Sequence, residues 1–197
     1  MSSIEADYTY KQIDEPASEP VSLAEAKLHM RVDLGDDDVL IAGLIAVARE
    51  QCELEARRSF VSRKMRYTCH QWHTDLGKIL PQRPAAEITA VRCYDWDDVA
   101  HEIDAAQYRL SDDNRVRLRH DFQWPVRVRP VDGFEIEYIA GYGDASAVPA
   151  RYKQAILLLV AHWYANREAV VVGQGYSAMV LPMAVKSLLQ TDRGDFF

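Results

Sequence analysis

The feature that most constrains the fold is an unusually apolar helical segment late in the sequence. It reads VPARYKQAILLLVAHWYANRE from Val148 to Glu168, and no residue between Ala155 and Ala161 is polar. A helix with one apolar stripe needs one neighbour, whereas a helix that is apolar all round must be covered on every side. Seven apolar residues are too few to span a membrane, which takes about 20. We therefore expect this helix to lie at the centre of a small core, or to be shared between a core and a subunit interface.

Three other segments show helical patterns. Residues 22–31 begin with the capping box Ser22-Leu-Ala-Glu25, and Pro182 precedes a short helix over 182–190. The segment 39–58 carries a predicted apolar stripe, and within it Gly43 would allow another backbone to approach closely. The stripe consists of Leu40, Ile41, Leu44, Ile45, Ala48 and Cys52.

Between the second and third helices the apolar period changes from 3.6 to two, which is typical of strands. Strand patterns recur at Arg66–Trp72, Ile88–Tyr94, Val99–Ile103, Tyr108–Leu110, Arg115–Arg119 and Phe134–Ala140. The predicted class is therefore α+β, as a mainly α-helical bundle with a β-rich insert over 65–140. Residues 1–20 are polar and predict an extended arm, residues 21–190 a single domain, and residues 191–197 a C-terminal tail.

Composition limits the possible functions. The net charge of −7 argues against a dedicated nucleic-acid binder, whose surface would be basic. The acidic N-terminus lacks the apolar run of a signal peptide, and three widely spaced cysteines favour reduced thiols in a cytoplasmic protein. No segment predicts a membrane span, and we expect no cofactor.

Catalytic and metal-binding motifs are weak. Cys69, His70 and His73 resemble a metal cluster, but positions 70 and 73 of a strand face opposite ways and a second ligand pair is missing. None of the nucleophile-elbow, phosphate-loop, zinc-protease or dinucleotide motifs occurs. An enzyme using His162 or the Cys69–His73 region, and a free-standing helical binding module, remain as alternatives to a structural protein.

Charge is arranged in two groups within the β-rich insert. The basic group consists of Arg109, Arg115, Arg117, Arg119, Arg127 and Arg129. The acidic group consists of Asp95, Asp97, Asp98, Glu102 and Asp104. The favoured interpretation of the arginines is a solvated strand face balanced by nearby aspartates. The alternative is that the two groups meet between subunits packed head to tail, or line a channel, and here Arg115, Arg117, Arg119, Arg127, Arg129, Asp97 and Asp98 are the candidates.

Four blocks of the sequence resemble the head–tail connector family of tailed bacteriophages and prophages, also called adaptor or head-completion proteins. The blocks are EPVSLAEAKLHMRVD at 19–33, DDDVLIAGLIAVAREQCE at 36–53, YIAGYGDASAVPARYKQAILLLVAHWYANRE at 138–168 and LPMAVKSLL at 181–189. Residues 65–137 match no motif of the family.

The resemblance implies a virion protein made in the host cytoplasm and located in the neck. It implies a dodecameric ring beneath the portal, which extends the DNA channel and docks the tail or a stopper protein, without enzymatic activity. DNA would pass through without specific binding.

The C-terminal tail is a candidate portal interface. Residues 191–197 read TDRGDFF, so that Asp192 and Arg193 precede a terminal Phe196-Phe197 pair. Two large aromatic side chains on a polar tail are unusual for a free end, and burying each would contribute about 1.5–3 kcal/mol. We expect this tail to dock on the portal.

Overall fold

All α-helices of the described residues lie in one unit of contacts, and all strands lie in another. The computed structural model describes residues 8–72, 77–166 and 181–190. We call the first unit the helical unit (Ser18–Val61 and Gly143–Phe197) and the second the sheet unit (Met1–Ala17 and Ser62–Tyr142).

The helical unit is built around the apolar helix identified from the sequence. Its helices are α1 (Leu23–Met30), α2 (Asp38–Ala56), α3 (Ala150–Ala165) and α4 (Met183–Gln190). Helix α3 contacts each of the other three, which confirms its central position. Its buried residues are Tyr152, Ala155, Ile156, Leu159 and Val160. Among the described residues, no helix is both long and apolar enough to cross a membrane.

Local signals set the helix ends. The Ser22 Oγ accepts a hydrogen bond from the Glu25 N–H at 3.2 Å, and the Glu25 carboxylate accepts one from the Ser22 N–H at 2.7 Å. This confirms the predicted capping box. Helix α1 ends at Arg31 and α2 at Arg57, both with left-handed backbone (φ 59° and 52°), the conformation that commonly stops a helix.

The sheet unit contains two antiparallel sheets. Its strands are β1 (Tyr8–Gln12), β2 (Arg63–Cys69), β3 (Lys78–Ile79), β4 (Ala85–Tyr94), β5 (Ala100–Glu102), β6 (Tyr108–Ser111), β7 (Arg115–Leu118) and β8 (Phe134–Ala140). The larger sheet has the order β1-β2-β8-β4-β5, and the smaller has the order β3-β7-β6. The strands predicted at the positions of β2 and β4–β8 are thereby confirmed.

The larger sheet is apolar on one face only. On that face β2 and β8 pair Met65 with Tyr138, Tyr67 with Ile136 and Cys69 with Phe134. All six side chains are buried, and aromatic rings extend this core, with the centroids of Trp124 and Phe134 4.6 Å apart. The opposite face carries the charged residues Lys64, Arg66, Glu135 and Glu137, because successive side chains of a strand point to opposite faces.

The predicted fold class was wrong in its proportions. The chain is a mixed α+β protein with two antiparallel sheets, not a mainly helical bundle with a β-rich insert. The cause is that the strand region has a buried core of its own and therefore forms a full structural layer. Long helical patterns carry a stronger periodic signal than short strands, so the sequence pattern overstated the helical share of the fold.

The N-terminal segment contributes to this difference. Residues Tyr8–Gln12 lie within the region expected to be an arm, yet they pair antiparallel with β2 as the edge strand of the larger sheet. The Tyr8 and Tyr67 rings stack with centroids 5.3 Å apart. The division into an arm, one domain over 21–190 and a tail stays a prediction.

Candidate interaction surfaces

The arginines of β7 are neutralised by aspartates close to them in sequence. Arg115 Nε and Arg117 Nη2 lie 3.1 Å and 2.8 Å from the Asp113 carboxylate. Arg119 Nε lies 3.3 Å from Asp121. This geometry agrees with the favoured interpretation, a solvated strand face with internal charge balance. A role of these arginines between subunits or along a channel stays a prediction.

The second pair of arginines joins the acidic group within the same chain. Arg129 forms a salt bridge with Asp98, and its guanidinium lies 4.5 Å from the centroid of the Tyr94 ring. Arg127 lies over the Trp96 ring at 4.7 Å. The predicted basic and acidic groups therefore meet in one subunit at Arg129 and Asp98, while the neighbouring Asp97 is exposed.

Other candidates from the sequence have local roles or lie outside the described residues. Cys69 is fully buried, and His70 Nδ1 accepts a hydrogen bond from the Asp132 N–H at 2.9 Å. Within 8–72, 77–166 and 181–190 no group of histidine, cysteine and carboxylate side chains could hold a metal ion. His73 and the four tail candidates, Asp192, Arg193, Phe196 and Phe197, are outside those ranges.

A charged cluster that the sequence patterns did not predict lies on the larger sheet, on the face opposite its apolar core. Two glutamates of β8, Glu135 and Glu137, are buried there among basic side chains of β2 and β4. Glu137 contacts Lys64 Nζ at 2.8 Å and Arg66 Nη2 at 2.6 Å. Glu135 contacts Arg92 Nη1 at 2.9 Å.

The cluster holds the Glu137 carboxylate in the ionised form. Burial raises the pKa of the Glu137 carboxyl, but the hydrogen bonds from Lys64 and Arg66 and the charge of Arg92 outweigh it and lower the pKa to about 2. Burial and the adjacent Glu135 carboxylate, which accepts a hydrogen bond from the Tyr94 hydroxyl at 3.2 Å, raise the pKa of Tyr94. Glu137 therefore stays charged near neutral pH, paired with Lys64 and Arg66.

One signal in the sequence could have revealed this cluster. The strand FEIEYIA places Glu135 and Glu137 two residues apart, hence on one face, between residues that are all apolar. Two glutamates on one face of a strand otherwise made of apolar residues need cationic partners if they are buried. Which cations supply that pairing depends on strand register, since Arg66 lies opposite Glu137 and Arg92 opposite Glu135.

Of three comparisons with known proteins, the one with solved structures gives matches. No family model and no curated protein matches the sequence. Among solved structures, a chain in the neck of an empty gene transfer agent particle, computed with C6 symmetry, matches with a TM-score of 0.72 and 25% identity. It covers 92% of this chain and 93% of the other.

Two further matches come from native gene transfer agent particles. A chain of the virion matches with a TM-score of 0.70 and 27% identity, and a chain of the neck computed with C12 symmetry matches with 0.70 and 25%. The coverage is again 92% and 93%. The protein is of the head–tail connector type. Its expected location in the neck of a virion is confirmed, and the connector is a structural neck protein.

Proposed function

We propose that the connector forms an adaptor ring, which joins the portal at the capsid vertex to the tail or a stopper protein and extends the DNA channel. The observation that carries this proposal is the match over 92% of the chain to neck proteins in assemblies with C6 and C12 symmetry. Cyclic symmetry arranges identical subunits around one axis, so that each subunit contacts its neighbours through two different surfaces. A ring of twelve subunits would match the higher of these symmetries.

The local chemistry favours a structural role over catalysis. Cys69 lies buried in the core of the sheet unit, and His70 Nδ1 accepts a hydrogen bond from the Asp132 N–H. Most of the candidate arginines form salt bridges with aspartates of the same chain, such as Arg129 with Asp98. We therefore propose that the connector acts by assembly and has no enzymatic activity.

The experiment that tests this function combines the purified connector with the portal protein of the same particle. Electron micrographs and native mass spectrometry should show a cyclic array of connectors attached to the portal, and the mass gives the number of subunits. Connectors that bind the portal only as single copies at saturating concentration would contradict the adaptor ring.

The channel wall is expected to pass DNA without holding it. Arg115, Arg117 and Arg119 already have aspartate partners, and the net charge of the chain is −7. Like charge between protein and phosphate backbone weakens association. A gel-shift titration of the connector with duplex DNA should show no submicromolar binding at physiological salt. Tight binding with a steep salt dependence would instead make the arginines a DNA site.

The tail, residues 191–197, is proposed as the docking arm for the portal. Around a ring, even weak arms bind strongly together, because each further arm engages at high effective concentration. Deletion of these residues should leave the melting temperature unchanged and abolish attachment to the portal. A lower melting temperature with attachment intact would show that Phe196 and Phe197 pack on the connector itself.

A further inference from the structure

The longest described helix, α2, carries apolar residues on two opposite sides. Its inner side consists of Ile41, Ile45, Ala48 and Cys52, all of which are buried. A second row runs along the outside through Leu40, Val47 and Leu54, with 42%, 54% and 64% of each residue exposed. Leu40, predicted to belong to the inner stripe, belongs to this outer row instead.

The outer row has the spacing of a helix contact. Its three large residues are separated by seven positions each, which is two turns of helix, so they line one face over about 21 Å. Gly43 lies between the first two, and we call Leu40, Gly43, Val47 and Leu54 the outer stripe. Glu50, whose side chain is 65% exposed, borders it as a polar rim.

Gly43 gives an independent indication that something packs here. A glycine inside a helix is less stable than alanine by roughly 0.8–1.0 kcal/mol. Nothing within the described chain requires it, because a Cβ at this position would meet no heavy atom of the described residues within 4 Å. A glycine on an apolar, exposed helix face is the residue that lets another backbone approach closely.

We propose that the outer stripe of α2 is a contact surface for a second copy of this chain, between neighbouring subunits of the ring. This inference rests on the proposed adaptor ring, since a ring requires a lateral surface that repeats once per subunit. The outer stripe has the apolar character, the length and the central glycine of such a surface. Closure of the ring would remove the outer stripe of every subunit from water. Burial of apolar surface in this way is the main favourable term in association.

The decisive variant is Gly43→Ala, because the two possible roles of the glycine predict opposite results. In the separate connector, alanine should raise the melting temperature by roughly 1–4 °C through its better helix propensity. In assembly with the portal, it should raise the connector concentration for half-maximal ring formation at least tenfold, because the added methyl group keeps the neighbouring subunit away. A higher melting temperature with unchanged ring formation would overturn the proposal.

A second variant tests the apolar residues directly. Val47→Glu places a charge on the outer stripe without disturbing the core, so it should leave the melting temperature within about 2 °C and abolish the ring. The matched control is Met183→Glu, on an exposed residue (87%) of α4 in the same unit, and it should leave ring formation intact. Normal rings with Val47→Glu would refute the contact.

Cross-linking identifies the occupant. The three native cysteines are free and buried, so that Leu54→Cys provides the reactive thiol for a photoactivatable label. A label attached to the cysteine at position 54 should cross-link one connector to a neighbouring connector in the ring. Connector–portal adducts alone would assign the stripe to the portal and overturn the inference, with the adaptor ring unaffected. If the unmodified connector forms no ring at all, the proposed function itself fails.

Discussion

Both units of the connector bury glutamate beside arginine, but they bring the charges together in different ways. In the helical unit, Arg49 Nη1 bonds to Glu53, four residues away on the same helix, at 2.9 Å. In the sheet unit, Arg66 Nη2 bonds to Glu137, 71 residues away, at 2.6 Å. The first pair follows from helix geometry alone, whereas the second exists only once β2 and β8 have aligned.

The two clusters also differ in their exposure to water. The side chain of Arg49 is 4% exposed and bonds to both Glu19 and Glu53, whereas the side chain of Arg66 is 43% exposed. Water can therefore take the place of a lost glutamate beside Arg66 but not beside Arg49, although Glu137 and Glu53 are about equally buried, at 7% and 5% exposed. This difference predicts that equivalent substitutions have unequal costs.

The largest effect is expected for Arg49→Met. Removal of the guanidinium breaks the buried pair of Arg49 with Glu53, and breaking a buried pair in this way costs about 3–5 kcal/mol of unfolding free energy. Urea denaturation measures the loss. The double variant Arg49→Met with Glu53→Gln removes the buried carboxylate charge as well and should recover part of the stability. A loss below about 1 kcal/mol would show that the helical pair is no more important than an exposed one.

An intermediate effect is expected for Glu137→Gln. The variant loses charged hydrogen bonds from Lys64 and Arg66, which should lower the unfolding free energy by about 1–3 kcal/mol at neutral pH. The more exposed Glu102, at the edge of the same cluster, supplies the control Glu102→Gln, with a smaller effect.

The pH dependence separates charge from packing in this variant. The pKa of Glu137 is about 2 in the folded chain against an ordinary 4.5, so its contribution is fully present above pH 4.5 and is lost as the pH falls towards 2. The difference between wild type and Glu137→Gln, measured by urea denaturation at several pH values, should therefore shrink across this window. A difference that stays constant down to the acid limit would attribute the effect to packing.

The smallest effect is expected where the charges are most exposed. Arg117→Ala removes a pair with Asp113 in which the side chains are 37% and 45% exposed. Such pairs contribute about 0.2–1 kcal/mol, and salt should weaken the contribution further. A loss above about 2 kcal/mol would place the β7 arginines with the buried clusters and not on a solvated face.

Much of the local structure could be predicted from the sequence. The capping box at Ser22, the central helix around Leu159 and the strand at Phe134–Ala140 are all decided by residues close together in the chain. The spacing of apolar residues gave a wrong prediction where the segment was short or where one residue fitted two faces of a helix. Strand β1 is a five-residue segment, and Leu40 satisfies the spacing of the inner and the outer row of α2 almost equally well.

The sequence alone therefore determined the α-helices, most of the strands, their order and the resemblance to connector proteins. Tertiary structure decided which charges meet and which apolar residues remain outside. Arg66 and Arg92 are ordinary strand arginines until β2, β8 and β4 align and bring them to Glu137 and Glu135. The physical reason is that contacts within a helix are fixed by the chain's own repeat, whereas contacts between strands depend on register, which the whole core sets.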